Sequence, residues 1–484
     1  QMVPKDRKES LKDQIQDEYR LSWESKKKYE EQWFRIHKMY NQSLEKMLVV
    51  DKRRPHIYVP KVFPYIETEA ARYVIGLFQS PPMIKCDPRN SLGLKNKMYV
   101  QTAIEYYLQM AKIFRVITEA VKIVLTYGTV GIMPSWVIKK RKRKIPLFSE
   151  SSEEKQNKAN MIEVEDEIYR GLEFSVYEPW AIFPYHPFAT DEDSAEAIIL
   201  EDYIPEYFYN QKVKEGVYDT IPIEKLRAGT VVGSSLPEQK KQRLGHPVPQ
   251  GAETLIRRWR RLSDGQIITV LGTEYIAQEL DNPYPFPYKP FIRGIKTYHP
   301  KEFFGGDSVR MVEQIQLAMN TLFNQMFAIM AQTIDPVALY RRGAVNPNQI
   351  VTFPMQKIGV LDPSTDVQFH KPPPLGIDPY NIFQMLSQMF DEASGLFDIK
   401  KGNLPRQETA TGMAILSQAA EYRIRFDVRV FEEYTLAPMA EMVKLMIKEW
   451  MPSSVELNIT GKNVWEKITR EQLDGQFAYR CGGS

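Results

Sequence analysis

The apolar positions of this chain change period twice, and the changes divide it. Near the N-terminus Leu11, Ile15, Tyr19 and Trp23, then Trp33, Ile36, Tyr40, Leu44 and Met47, recur at helical steps of three and four. Asp51 to Pro60 interrupts that pattern. A second helix is predicted from about Val62 to Phe78, stopped by Pro81-Pro82 because proline cannot extend the ladder. A third is predicted around Met98 to Tyr127, carrying Leu108, Ile113, Ile117, Val121 and Val124 and ending at Gly128. From Thr129 to His299 short β-branched and aromatic runs take over, among them Gly131–Ile138, Leu172–Tyr177 and Ala197–Ile204. Thr254–Leu262 and Gln266–Leu271 flank Ser263-Asp264-Gly265, a hairpin signal. Pro205 to Pro249 reads as a helix and a flexible loop, and the proline-rich Asp281–Pro290 as an extended connector.

After Phe304-Gly305-Gly306-Asp307 the helical period returns through Met311, Ile315, Ala318, Leu322, Met326, Ile329 and Thr333. Residues 307–334 would span roughly 40 Å before Pro336 ends the helix. Turn and strand are expected up to Pro372-Pro373-Pro374, then a helix from Asp378 to about Asp398. A polar loop, Ile399 to Gln407, leads into a helix predicted from Glu408 to Trp450, roughly 65 Å long. Its apolar stripe runs from Met413 to Trp450, its opposite face is charged, and Pro438 should kink it. Strands are expected at Val455–Thr460 and near Gln476–Arg480.

Gln314 to Ile334 has no charged residue and is long enough to cross a bilayer. Eight of its 21 positions are polar, however: Gln314, Gln316, Asn320, Thr321, Asn324, Gln325, Gln332 and Thr333. Placing so many amides and hydroxyls in hydrocarbon is costly, so no membrane insertion is expected. What remains is a long helix with an uncharged polar face. The 484 residues, 43% hydrophobic, suffice for about three domains. Lys plus Arg is 64 against 61 acids, a net charge of +3. That balance excludes a protein that coats nucleic acid through a general basic excess, so any DNA contact is local or loose. Cys86 and Cys481 form no scaffold or zinc pattern, which points to a reducing compartment. Gln1 to Lys28 is too charged to read as a secretory signal.

Motifs of chemistry are sparse. There is no GxxxxGK[ST], HExxH or GxSxG, and the six histidines are scattered. Tyr127-Gly128-Thr129-Val130-Gly131 reads as a helix-to-strand turn rather than a dinucleotide fingerprint. Asp191-Glu192-Asp193 would serve a metal-dependent nuclease, but consecutive side chains diverge, so a solvated acidic loop is the better reading. The basic run Lys139, Lys140, Arg141, Lys142, Arg143 and Lys144 is either a phosphate-binding patch or a solvated loop balanced by Glu150, Glu153, Glu154 and Glu163. Arg257-Arg258-Trp259-Arg260-Arg261 is expected to be an exposed strand face or a subunit contact rather than a base-stacking platform. Lys400 to Gln407 joins two helices with three positive charges and no acid, and Arg341-Arg342-Gly343 follows the uncharged helix.

The order of these parts resembles the portal, or head-to-tail connector, proteins of tailed bacteriophages, especially short-tailed ones. FGGDSVRMVEQIQLAMNTLFNQMF is similar to a first stem helix, DPVALYRRGAV to the entry into the clip, and HKPPPLGIDPY to the start of a second stem helix. KKGNLPRQETATGMAILSQAAEYRIRF is similar to a tunnel loop and long helix. VFPYIETEAARYVIGLFQSPP, LTYGTVGI and FSVYEPWAIFPY are similar to wing segments. The resemblance runs from about residue 58 to 480.

It implies an α+β, mainly helical portal fold. The wing would take 1–305, the first stem helix 306–333, the clip 334–375 and the second stem helix 376–398. The tunnel loop would take 399–408, and 409–484 the long kinked helix with a return to the wing. The crown or barrel helices of such proteins have no counterpart within the chain. The implied function is a dodecameric ring at one capsid vertex, passing double-stranded DNA in packaging and ejection. The implied partners are a terminase motor, a tail adaptor, the major capsid protein and scaffold, with the host cytoplasm as the place of assembly. Lys400, Lys401, Asn403, Arg406 and Gln407 would face DNA, while Arg341, Arg342, Asn346 and Gln349 would meet adaptor or terminase. No catalytic residue, cofactor or metal is implied. A metal-dependent nuclease and a non-viral cytosolic helical scaffold stay open as alternatives.

Overall fold

The computed structural model describes residues 5–42, 57–79, 81–146, 161–186, 189–229, 255–272, 274–334, 336–343, 376–395, 425–459 and 464–481, with 345, 350, 360, 362, 366–370 and 422. The elements begin with α1 (Lys5–Tyr40), α2 (Val62–Phe78), β1 (Ile84–Pro88), α3 (Ser91–Met110) and α4 (Ile113–Tyr127). The strand-rich part holds β2 (Thr129–Pro146), β3 (Met161–Tyr177), β4 (Ile182–Tyr185), β5 (Ala197–Pro205), α5 (Glu206–Lys214) and α6 (Ile223–Gly229). It continues through β6 (Leu255–Leu262), β7 (Gln266–Leu271), β8 (Tyr275–Asp281) and β9 (Ile292–Ile295). Then come α7 (Glu313–Ile334), β10 (Val337–Tyr340), β11 (Val367–His370), α8 (Asp378–Ser394) and α9 (Ala437–Trp450). The last strands are β12 (Ser454–Asn458), β13 (Trp465–Thr469) and β14 (Phe477–Cys481).

Two compact units result, each discontinuous in sequence: 1–34 with 67–307 and 422–484, and 35–66 with 308–421. The first is built on an antiparallel sheet of order β4-β5-β6-β7-β8. Alternation along a strand sends successive side chains to opposite faces. Ile199, Trp259, Ile268 and Val270 therefore share one face, where Leu11, Ile15, Tyr19 and Trp23 of α1 pack. Ile204, Ile256 and Leu271 share the other, covered by Tyr209 of α5 and Leu226 of α6. A second sheet, β3-β2-β9, and the β1–β14 pair complete the unit's larger β elements, with Cys86 opposite Tyr479. Burial pushes the Cys86 thiol up to about 12, so it is an inert core group.

Several predicted bounds move. The helix expected over 98–127 is two, α3 and α4, broken where Lys112 adopts φ 54°. Buried Leu108 and Ile113 flank the break, so the apolar period reads straight through it. Asn90 starts α3 earlier than expected by accepting from the Gly93 N–H at 2.7 Å. The helix predicted from 307 begins at Glu313, and α8 stops at Gly395 (φ 69°), short of the expected Asp398. Of the long helix expected over 408–450, residues 408–421, 423 and 424 lie outside the described residues. Its remainder carries a π turn, Glu432–Leu436, immediately before Pro438 in α9. Proline removes an N–H from the ladder, and the wider turn absorbs that loss inside the helix. Strand β13 was not expected; it pairs with β12.

Candidate subunit contacts and DNA-facing segments

In the second unit the uncharged polar face of α7 finds its purpose. Gln316, Asn320 and Asn324 recur every four residues and line one side of the helix. Residues 57–59 run extended beside them. Asn320 Oδ1 accepts the Val59 N–H at 2.9 Å, and Gln316 Nε2 donates to the Val59 carbonyl at 2.7 Å. Asn324 takes the Ile57 N–H at 2.7 Å and donates to the Ile57 carbonyl at 2.9 Å. The amides thus do for this backbone what a neighbouring strand would do. Lys61 reaches Ser387 of α8 at 2.8 Å, and Phe323 of α7 meets Phe383 of α8 with ring centres 5.6 Å apart.

The same unit leaves large apolar groups uncovered. On α7, Phe327, Met330 and Ile334 are exposed, Ile334 to 79%. On α8, Tyr380, Ile382, Met385 and Met389 are exposed, as are Leu339, Tyr340 and Phe369 of the β10–β11 hairpin. Large apolar groups left uncovered in this number make these elements a candidate interaction surface. Arg341 and Arg342 follow the hairpin strand and are exposed, with the Arg341 N–H bound to the Asp366 carbonyl at 3.0 Å. Asn346 and Gln349 lie outside the described residues, as do Lys400, Lys401, Asn403, Arg406 and Gln407.

The basic run is neither a loop nor an isolated patch. Residues 139–144 form the outer part of β2 and pair with β3, Lys140 opposite Glu167, Arg141 opposite Asp166 and Lys144 opposite Glu163. Ion pairs cross the ribbon: Lys139–Glu173 at 2.9 Å, Lys140–Glu165 at 3.3 Å and Arg143–Asp166 at 2.5 Å. Of the balancing acids expected downstream, only Glu163 lies within the described residues. The local run of like charge looked like a loop because its counter-charges sit twenty or more residues away.

The arginine strand is a correction of the same kind. β6 is internal to its sheet and Trp259 is buried, not offered to a partner. Arg257 binds Glu201 at 2.9 Å and Tyr19 at 2.7 Å, and Arg261 holds Glu18 of α1 through two bonds of 2.6 and 2.8 Å. Arg258 and Arg260, on the opposite face, share Asp202.

The acidic triplet is not simply solvated either. Glu192 pairs with buried Arg293 at 3.4 Å, and burial raises its pKa. Burial acts against ionised Asp191 too, but the Ser194 hydroxyl and N–H hold it below the usual carboxylate range. Asp191 and Glu192 are thus each held by a different group of the same chain, Ser194 and Arg293. Among the described residues no group of three or more metal-ligating side chains assembles, and no helix is long and apolar enough to cross a membrane.

Two further segments meet in the first unit. Gly128 ends α4 with φ 83°, and a Cβ there would stand 2.2 Å from the Gly305 carbonyl oxygen. The Gly305 N–H in turn donates to Thr129 Oγ1 at 2.8 Å. The glycines of the YGT turn and of FGGD are therefore required by the same close backbone crossing.

A search of curated proteins finds no match to this chain. A protein-family model does match. It covers residues 268–481, from within β7 to the end of β14, and so takes in α7, the β10–β11 hairpin, α8 and α9. The segments around 62–82, 125–132 and 174–185 that also resembled a portal wing precede the matched span. The matched family is described as the Phage SU10 portal protein, so over that span, somewhat less than half of the chain, the sequence is similar to a phage portal protein.

Proposed function

We propose that this chain is the subunit of a closed dodecameric ring at one capsid vertex of a short-tailed phage, the channel for genome packaging and ejection. The portal family is structural rather than enzymatic and implies a ring associated with the capsid. The observation that carries the reading is the exposed apolar surface of α7, α8 and the β10–β11 hairpin. Groups such as Met385 and Ile334 gain by burial at about 25 cal/mol per Å² of apolar area removed from water. Ring closure needs two different faces per subunit, and an apolar stem presented on more than one side suits that need. In this reading 306–333 and 376–398 are the stem helices and 334–375 the clip. A terminase motor docks on the clip during packaging and a tail adaptor afterwards, with Arg341, Arg342, Asn346 and Gln349 in the contact. The wing meets the major capsid protein and scaffold, and assembly takes place in the host cytoplasm. Residues 399–408 form the tunnel loop.

Native mass tests this directly. Twelve chains of 56.4 kDa give about 680 kDa for a heterologous closed ring. Eleven or thirteen subunits would still fit a recombinant portal. A monomer at micromolar concentration would overturn the reading and favour a non-viral scaffold. The nuclease alternative requires metal-dependent DNA cleavage abolished by alanine at Asp191, Glu192 and Asp193. The pairing of Glu192 with Arg293 speaks against it.

A further inference from the structure

We propose that the β2–β3 ribbon is a self-recognising contact, in which the basic β2 edge of one subunit pairs with the acidic β3 edge of the next. This rests on the ring reading above and adds a specific joint to it. β9 pairs with β2 only over Thr129–Ile132. Beyond Ile132, among the described residues, no strand covers that edge of β2, and none covers the outer edge of β3. An uncovered edge is a row of unpaired N–H and C=O groups, which a second strand can satisfy.

The charges say which strand. Residues 139–144 are all cationic, whereas Glu163, Glu165, Asp166 and Glu167 crowd the partner strand. Lys139, Lys140, Arg141, Arg143, Glu165 and Glu167 are exposed. A DNA backbone fits poorly, since the acidic strand runs about 4.8 Å from the basic one and opposes phosphate along its length. A fitting partner offers an acidic strand to β2 and a basic strand to β3, and the ribbon itself offers both. Stepping an antiparallel ribbon sideways gives the order β3-β2-β3-β2 with every neighbour antiparallel. The cationic strand then lies between two acidic ones. That repeat is head-to-tail, the symmetry a closed ring requires. The competing account is that edge lysines merely discourage aggregation.

Two variants separate these accounts. One carries Lys140→Glu, Arg141→Glu and Arg143→Glu, so both edges of its ribbon are acidic. The other carries Glu165→Lys, Asp166→Lys and Glu167→Lys, so both edges are basic. Each alone is expected to lose at least tenfold in ring fraction by native mass. An equimolar mixture is expected to regain rings in which the two chains alternate. Wild-type yield from either variant alone would overturn the contact and leave an aggregation guard. Failure of the mixture would also overturn it, because the charges would then act only within a chain. Amide hydrogen exchange on wild-type rings gives a readout free of folding defects. The β2 amides of 133–144 that do not bond to β3 should exchange as slowly as those that do, and fast exchange would refute the pairing. If the wild-type chain stays monomeric, the ring reading itself fails and this contact falls with it.

Discussion

Asn320 is wholly buried in a helix whose sequence has no charge for 21 residues, and its side-chain oxygen accepts from both the Val59 backbone and the Gln316 side chain. Polarity at such a place is kept because the alternative is an orphaned peptide group. Asn320→Ala would strip the Val59 N–H of its acceptor and Gln316 of a partner 3.1 Å away. We expect a loss of about 1–3 kcal/mol in denaturant unfolding, with accelerated exchange at the Val59 amide. Thr321→Ala, one residue on and exposed, should stay within about 0.5 kcal/mol. Equal effects from the two would show that the ladder carries no weight. The uncharged polar face itself was plain in the sequence, and so was its unfitness for a membrane. Its partner was not, because residues 57–59 lie more than 250 positions away and carry no signal of extended pairing with a helix.

At the scale of elements, legibility followed the range of the interaction that decides each one. The α2, α7 and α8 helices are set by local apolar period and proline or glycine punctuation, and they stand close to where the period put them. The outer half of β2 and the arginines of β6 are set by acids distant in sequence, so charge runs there suggested loops or outside partners. Glycine is the reverse case, a local signal with a distant reason. The turn at Gly128 was legible as a helix stop, but its tightness comes from Gly305 lying against it. Gly128→Ala adds left-handed strain of about 1–2 kcal/mol to an overpacking cost of about 1–3. Gly216→Ala shares the strain, at φ 71°, but meets nothing within 4 Å. Thermal unfolding should therefore place Gly128→Ala clearly below Gly216→Ala. Equal destabilisation would mean that the Gly128–Gly305 approach has slack.

The whole molecule is close to neutral, with 64 basic and 61 acidic residues. Such a balance is compatible with a protein proposed to pass DNA, since each phosphate neutralised by a fixed cation adds to the grip and to its salt dependence. The described parts bear out a spatial rule beneath the balance: the densest cationic runs, 139–144 and 257–261, are answered by carboxylates of the same chain. The segment 400–407, outside the described residues, breaks that rule in sequence, with Lys400, Lys401 and Arg406 and no acid among its residues. If it faces DNA, those cations supply a loose hold that resists leakage without stalling translocation. The double change Lys400→Glu and Lys401→Glu should leave native mass at the ring value while lowering genome retention in filled capsids several-fold. Lys400→Gln with Lys401→Gln should fall between, because it removes attraction without adding repulsion. Added salt should narrow the gap between wild type and either variant, as screening weakens both attraction and repulsion. Unchanged packaged-genome yield in the double Glu variant would remove the segment from the DNA path. Loss of the ring would assign it to assembly instead.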